Sequence, residues 1–171
     1  MKKIVISWLV CVLALVGLLV WLGHDSSLVQ NAQDQESPGL IQAKFSLQSA
    51  TGPATEKDFK DKYMLIYFGF THCPDICPTT LLLMQNAIRK QDPAVAAKIQ
   101  PVFITVDPER DTPQTVGAYV KNFGKNIVGL SGTPAQIKQA ADNFKVYYSK
   151  VEMEDPSMGY MMNHSRSEER R

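Results

Sequence analysis

The sequence predicts an α/β domain with a largely parallel sheet, placed behind one apolar N-terminal segment. The runs KYMLIYFGF (62–70) and PVFITVD (101–107) are apolar almost throughout and are bounded by turn residues. Such runs are typical of buried strands in parallel sheets, and strands that alternate with helices produce an α/β fold. We therefore predict buried strands at both runs, with 62–70 in the centre of the sheet. A chain of 171 residues favours a single core.

The first 23 residues are predicted to form a membrane anchor. The segment Ile4–Leu22 is almost entirely apolar, and as a helix it would be about 28 Å long, close to the ~30 Å hydrocarbon core of a bilayer. Lys2 and Lys3 precede it, and Lys44 is the next basic residue. The positive-inside rule then predicts a single-pass protein of the cell inner membrane with its domain on the periplasmic side. A cleaved signal peptide is the alternative, but no A-x-A-like site follows.

The remaining chain divides by composition. We interpret the polar residues 24–43 as a linker, residues 44–165 as the folded domain and residues 166–171 as a polar tail. Thr112–Pro113 and Thr133–Pro134 are typical helix starts. The predicted elements are a hairpin arm at KFSLQSATG (44–52), the strand 62–70, a helix over Thr79–Arg89, the strand 101–107, helices after Thr112 and Thr133, and strands at NIVGLSG (126–132) and KVYYSKVEM (145–153).

The charge balance argues against nucleic acid as a partner. The chain has 18 basic and 17 acidic residues and a net charge of +1. Nucleic-acid-binding domains usually carry a basic excess or a basic patch. We therefore expect no nucleic-acid partner.

The stretch GFTHCPDICPTT (69–80) contains the main chemical candidates, Cys73 and Cys77. Side chains four residues apart share a helix face, and they approach more closely in a loop. A position at a helix N-terminus also lowers a thiol pKa. Three interpretations stay open: a stapling disulfide, a redox-active pair and a metal-binding pair. A disulfide here would close a very short loop and stabilise the fold little.

A metal would need a third ligand besides the two thiolates. Two thiolates are too few for a closed zinc site, whereas Cu(I) is a soft ion that thiolates select. His24 lies in the linker, and His72 is adjacent to Cys73 with a diverging side chain. His164, far along the chain, remains as the candidate. Cys11 lies inside the apolar segment and is interpreted as an inert membrane residue.

Several methionines precede His164. Thioether sulfur binds Cu(I), so these residues are candidates for a transfer surface, although flexible core packing is their more common use. They are Met153, Met158, Met161 and Met162.

The segment DPERDTP (107–113) is the third candidate. Asp107 follows a strand and is therefore expected at the carboxyl edge of the sheet, where α/β proteins place their sites. It is a candidate for steering copper or a partner, with a turn as the alternative. We interpret Asp111 and Thr112 as a turn and a helix cap.

The motifs FGFTHCPDICPTT, TVDPERDTP and NHS, in this order behind one anchor, resemble the SCO/SenC family of copper-binding proteins. The resemblance runs from about Phe45 to Ser165. It implies a thioredoxin-like fold, copper ligands at Cys73, Cys77 and His164, and delivery of copper to the copper A centre of cytochrome c oxidase. It also implies a possible thiol–disulfide function, for which a thiol reductant of the cysteine pair would be a partner.

The C-terminal residues depart from the family pattern. After His164 the chain ends in SRSEERR, whereas the family continues into a paired strand, a turn and a final helix. We expect this last strand and helix to be missing. The strand near Tyr147–Val151 would then lack its antiparallel partner, an apolar edge would be exposed, and His164 would lie on an unanchored tail with weaker copper retention.

Two functions therefore compete. The first is a membrane-anchored copper chaperone. The second is an extracytoplasmic thiol–disulfide oxidoreductase in which Cys73 and Cys77 act on a partner's cysteines. A pure reductase has no use for His164. In 144–164 no proline stands just before a strand, where a thioredoxin-type reductase has its cis-proline, and Pro156 is the only candidate. Both observations favour copper. A peroxidase-type redoxin is a weaker third possibility.

Overall fold

The computed structural model describes residues 41–153 and 159–164. The predicted anchor, most of the linker, the polar tail, Cys11 and Pro156 lie outside these residues. Within the described part, no helix has the length and hydropathy needed to cross a bilayer. The main-sheet strands are β1 (Ser46–Ser49), β2 (Gly52–Thr55), β3 (Tyr63–Gly69), β4 (Ile99–Thr105) and β5 (Val128–Ser131). The helices are α1 (Ile76–Arg89), α2 (Pro93–Ala96), α3 (Pro113–Lys121) and α4 (Pro134–Asn143), with a 3-10 turn at Glu56–Phe59.

The main sheet is mixed and has the strand order β2-β1-β5-β4-β3. Strands β3, β4 and β5 run parallel to one another, while β1 is antiparallel to both β2 and β5. Phe103 of β4 packs with Leu81 of α1 and Val116 of α3 on one face, and Ile104 lies in a cluster with Ile137 of α4 on the other. The predicted α/β arrangement is confirmed, with helices on both faces.

Strand β3 lies at the edge of this sheet, so its prediction as a central strand is wrong. It pairs with β4 along its whole length, and no other strand of the described part joins it. Tyr63 is 75% exposed and Leu65 39%, whereas Phe68 at the carboxyl end is 6% exposed. Burial is therefore confined to the end of the strand that leads into the cysteine loop, which a uniformly apolar sequence does not reveal.

Both threonine–proline helix starts are confirmed. The Thr112 hydroxyl accepts a hydrogen bond from the Thr115 N–H at 3.1 Å. The Thr133 hydroxyl accepts from the Gln136 N–H at 3.3 Å, and the Gln136 side chain accepts from the Thr133 N–H at 2.9 Å. These bonds satisfy N–H groups that a helix start otherwise leaves unpaired.

The last strands, β6 (Tyr148–Glu152) and β7 (Tyr160–His164), form a separate antiparallel hairpin. Its register runs from Tyr148 opposite His164 to Glu152 opposite Tyr160. The expectation that this strand lacks an antiparallel partner is wrong, because residues before His164 supply one. β6 begins three residues later than predicted because Lys145, with φ 58°, closes the end of α4 in a left-handed conformation.

Candidate functional site

The cysteine loop connects the buried end of β3 to α1. Cys73 lies in the loop, where its N–H donates to the Phe70 carbonyl at 3.3 Å, and Cys77 lies in the first turn of α1. Cys73 is half-buried and Cys77 is fully buried, and neither forms a disulfide. A Cβ added to Gly69 would stand 2.9 Å from Cys77 Sγ, so the absence of a side chain there lets the thiol approach the strand.

Burial dominates the chemistry of Cys77. It raises the pKa of the Cys77 thiol to about 12, although a hydrogen bond from Tyr67, at 3.4 Å from Sγ, acts in the opposite direction. The prediction that the helix start would lower this pKa is therefore wrong for Cys77. The removal of the thiol from water outweighs the effect of the helix dipole. Burial therefore favours the protonated thiol of Cys77.

His164 lies at the end of β7 and faces aromatic residues near the cysteine loop. Its ring packs edge-on against Tyr67, with centroids 6.2 Å apart, and against Phe70, at 6.4 Å. The expectation of an unanchored tail at His164 is wrong. The residue lies in β7 opposite Tyr148 of β6, and its ring contacts Tyr67 of β3. Tyr67 contacts both His164 and the Cys77 thiol.

Cys73 and His164 line the same cavity, whose volume is about 390 Å³. The lining carries no acidic or basic residue other than His164. It consists of Phe70, Cys73, Ile76, Met161, Met162, Asn163 and His164. Within residues 41–153 and 159–164, no three His, Cys, Asp or Glu side chains are close enough to hold a metal ion together. The structure therefore brings Cys73 and His164 to one cavity, with Cys77 buried behind Tyr67.

Two of the methionines near His164 lie where both core packing and contact with a bound ion are possible. Met161 and Met162 pack against the main core and also line the cavity. Met158 lies outside the described residues. Soft thioether groups therefore stand beside Cys73 and His164, in a position that core packing alone already explains.

Asp111 is a site residue that the sequence interpretation missed. Its carboxylate is fully buried and accepts hydrogen bonds from the Thr71 N–H at 2.9 Å, the Thr71 hydroxyl at 2.5 Å and the Thr105 hydroxyl at 2.6 Å. His72 Nδ1 lies 3.8 Å from the same carboxylate, with a side chain that is 54% exposed. Asp111 thus fixes the start of the cysteine loop, and the cap belongs to Thr112 alone.

Asp107 lies at the carboxyl end of β4, as predicted, but its contacts are to the hairpin. It is 2% exposed, lies 2.5 Å from Arg110 Nε and accepts a hydrogen bond from the Tyr160 hydroxyl at 2.7 Å. Burial, followed by this hydrogen bond, raises the pKa of Tyr160. Asp107 therefore touches the strand that carries His164, and it does not line the cavity.

The comparison with known proteins agrees with the motifs. The family model described as SCO1/SenC matches residues 33–168. The chain belongs to the SCO1/SenC family. Among SCO relatives, the mitochondrial SCO1 homolog 1 of Arabidopsis thaliana is 47% identical over 143 residues, which are 83% of this chain and 42% of that protein. A SCO2-like protein of Rickettsia conorii is 40% identical over 163 residues, which are 95% of this chain and 79% of that protein.

Solved SCO structures match the fold as well. Copper-bound ScoI of Arabidopsis thaliana superposes with a TM-score of 0.68 and 46% identity, over 74% of this chain and 78% of that one. Copper-bound ScoI of Bradyrhizobium japonicum gives a TM-score of 0.66 and 41% identity, over 74% of this chain and 79% of that one. The thioredoxin-like fold implied by the resemblance is thereby confirmed. Homologous SCO proteins hold copper in their structures.

Proposed function

We propose that this SCO protein is a copper chaperone that holds copper with Cys73, Cys77 and His164 and delivers it to the copper A centre of cytochrome c oxidase. The observation that carries the proposal is the cavity shared by Cys73 and His164, which are far apart in the sequence. Thiolates and an imidazole suit Cu(I). The copper-bound SCO relatives, at 41–46% identity, support the same cargo.

Binding requires a rearrangement around Cys77, because no three candidate ligands of the described residues are close enough to hold an ion together. The thiol must lose its proton and its hydrogen bond from Tyr67 before the sulfur can bind a metal. Cys73 and His164 already face the cavity, so the ion can be captured by these two side chains before Cys77 completes the site. Copper is the transferred substrate in this scheme, and the protein supplies three ligands and a site shielded on one side by the core.

We further propose that residues 1–23 anchor the chain in the cell inner membrane with the domain on the periplasmic side. The apolar run and the lack of basic residues between Lys3 and Lys44 support this orientation. The receiving partner is then the oxidase subunit that carries the copper A centre, and an external thiol reductant keeps Cys73 and Cys77 reduced. Protease protection in intact and opened spheroplasts tests the orientation.

Copper stoichiometry of the reduced full chain, purified in detergent, tests the ligand set. A Cu(I)-specific chelator should report a single Cu(I) per chain. Loss of a residue that only supports a ligand commonly lowers metal affinity by about 10–100-fold, so His164→Ala should lower it by at least that much. His24→Ala, in the predicted linker, is the matched control and should leave affinity unchanged. If His72→Ala abolishes binding and His164→Ala does not, the ligand assignment is wrong.

The unequal burial of the two thiols favours a second candidate, a thiol–disulfide oxidoreductase. Cys73 reaches the cavity, whereas Cys77 is buried. The Cys73 thiolate would attack one sulfur of a partner's disulfide and release the other sulfur as a thiol. The Cys77 thiolate would then attack Cys73 Sγ and release the second thiol, leaving a Cys73–Cys77 disulfide that an external dithiol reduces. His164→Ala separates the functions, because it should remove copper binding and leave disulfide reduction intact.

A further inference from the structure

The two sides of the proposed copper site lie on parts of the chain that share no backbone ladder. The thiols follow β3 of the main sheet, whereas His164 lies on the β6–β7 hairpin. In the described part, the hairpin strands pair with each other and not with the main sheet. The position of His164 relative to Cys73 must therefore be set by side-chain contacts.

Tyr160 makes polar contacts between the hairpin and residues 107–111, the turn that follows β4. Its hydroxyl donates to Asp107 at 2.7 Å, and its carbonyl accepts from Arg110 Nη1 at 3.1 Å. The Arg110 guanidinium and the Lys150 ammonium each lie 3.8 Å from the centre of its ring, a distance at which a cation is attracted to an aromatic face. Tyr160 is thus fixed through its hydroxyl, its ring and its backbone.

Residues 107–111, which contact Tyr160, also hold the cysteine loop. Asp111 accepts two hydrogen bonds from Thr71 and one from Thr105. The Asp107 carbonyl accepts from the N–H groups of Arg110, at 3.3 Å, and Asp111, at 3.0 Å. Residues 107–111 therefore form one closed turn. Asp111 contacts the cysteine loop, and Asp107 contacts the hairpin.

We infer that residues 107–111 and Tyr160 set the separation between the thiols and His164, an inference that rests on the proposed copper site. Tyr160 and His164 lie on the same face of β7, since side chains an even number of residues apart share a face. They are about 13 Å apart along the strand. A small rotation of β7 about a loosened Tyr160 would therefore displace the imidazole. Tyr160 is a positioning residue that never touches the metal, and Thr71 has the same role for the thiols.

Tyr160→Phe is the variant that tests the hairpin side, since it removes the hydroxyl and keeps the ring. In the full-length protein it should lower Cu(I) affinity by about 10–100-fold, the usual effect of losing a supporting contact. Copper X-ray absorption should show a weakened nitrogen contribution with the sulfur contribution retained. The redox potential of the Cys73–Cys77 disulfide should be unchanged. Tyr63→Phe, at the 75% exposed start of β3, is the matched control and should behave as wild type.

Thr71→Val tests the loop side and should give the complementary result. It should lower Cu(I) affinity and shift the disulfide potential while the nitrogen contribution stays. Thr71→Ser, which keeps the hydroxyl, should restore both quantities. If Tyr160→Phe and Thr71→Val both retain wild-type affinity and ligand counts, the inference is overturned.

Amide hydrogen exchange provides a readout that does not need copper. Tyr160→Phe should speed exchange in β7, and Tyr63→Phe should not. If the wild-type chain binds no Cu(I) but Tyr160→Phe still speeds this exchange, the copper function fails while the anchoring role stands. If exchange in β7 is the same in both variants, the anchoring role is refuted.

Discussion

Replacing Asp111 by alanine should destabilise the domain strongly. The carboxylate is fully buried and accepts three hydrogen bonds. The Thr105 hydroxyl is also fully buried. Its oxygen still accepts from the Asp107 N–H at 3.0 Å, but its O–H would lose its acceptor, which costs about 1–3 kcal/mol. The two bonds from Thr71 involve a charged acceptor and add roughly 1.5 kcal/mol each. We expect a total loss of about 4–6 kcal/mol in the free energy of unfolding, a large fraction of the ~5–15 kcal/mol that stabilises a typical domain.

Urea unfolding of the reduced protein, followed by fluorescence, measures this effect. With a typical slope of about 2 kcal/mol per molar urea, the midpoint should fall by about 2–3 M with the slope unchanged. Asp142→Ala is the matched control, because Asp142 is 62% exposed and pairs only with Lys138 in the described contacts, at 2.7 Å. Exposed pairs contribute about 0–1 kcal/mol. A midpoint for Asp111→Ala equal to that of Asp142→Ala would refute the assignment of Asp111 as the support of the cysteine loop.

Two further predictions concern the surroundings of Cys77. Gly69→Ala would place a Cβ 2.9 Å from both Cys77 Sγ and Phe103, so we expect a loss of about 1–3 kcal/mol from overpacking; calorimetry would contradict this if the melting temperature were unchanged. Burial raises the Cys77 pKa from 9.0 to about 12, so the folded state keeps a proton that the unfolded chain loses near pH 9. The contribution of this thiol to the free energy of unfolding is therefore fully present below about pH 9 and should fall by about 1.4 kcal/mol by about pH 10. Urea unfolding of Cys77→Ala at both pH values should lack this contribution. An equal change of unfolding free energy with pH in the two proteins would disprove it.

The sequence predicted those features that depend on local chemistry. The threonine caps at Thr112 and Thr133 are determined by residues within one helical turn, and their geometry follows the prediction. The motifs that resemble the SCO/SenC family led to Cys73 and His164, and the fold places both on one cavity. The location of Asp107 at the carboxyl edge of the sheet was predicted from its position after a strand.

Features that depend on distant partners were missed. The edge position of β3 depends on which strands pair, and the apolar run 62–70 is compatible with either an edge or a central strand. The role of Asp111 depends on Thr71 and Thr105, which the sheet brings together from the loop after β3 and the end of β4. The high pKa of Cys77 depends on the depth of burial, which competes with the helix dipole that the sequence does reveal.

The unequal burial of the two thiols also suggests an order in which the ligands of a bound ion would be exchanged during transfer to another protein. A donor or acceptor protein that approaches through the cavity meets Cys73 and His164, because Cys77 is absent from the lining and has no exposed surface. In the proposed copper site, an incoming ligand would therefore replace Cys73 or His164 while Cys77 still held the metal. Release would then begin at the two exposed ligands, and the proposed transfer would not require the ion to enter free solution.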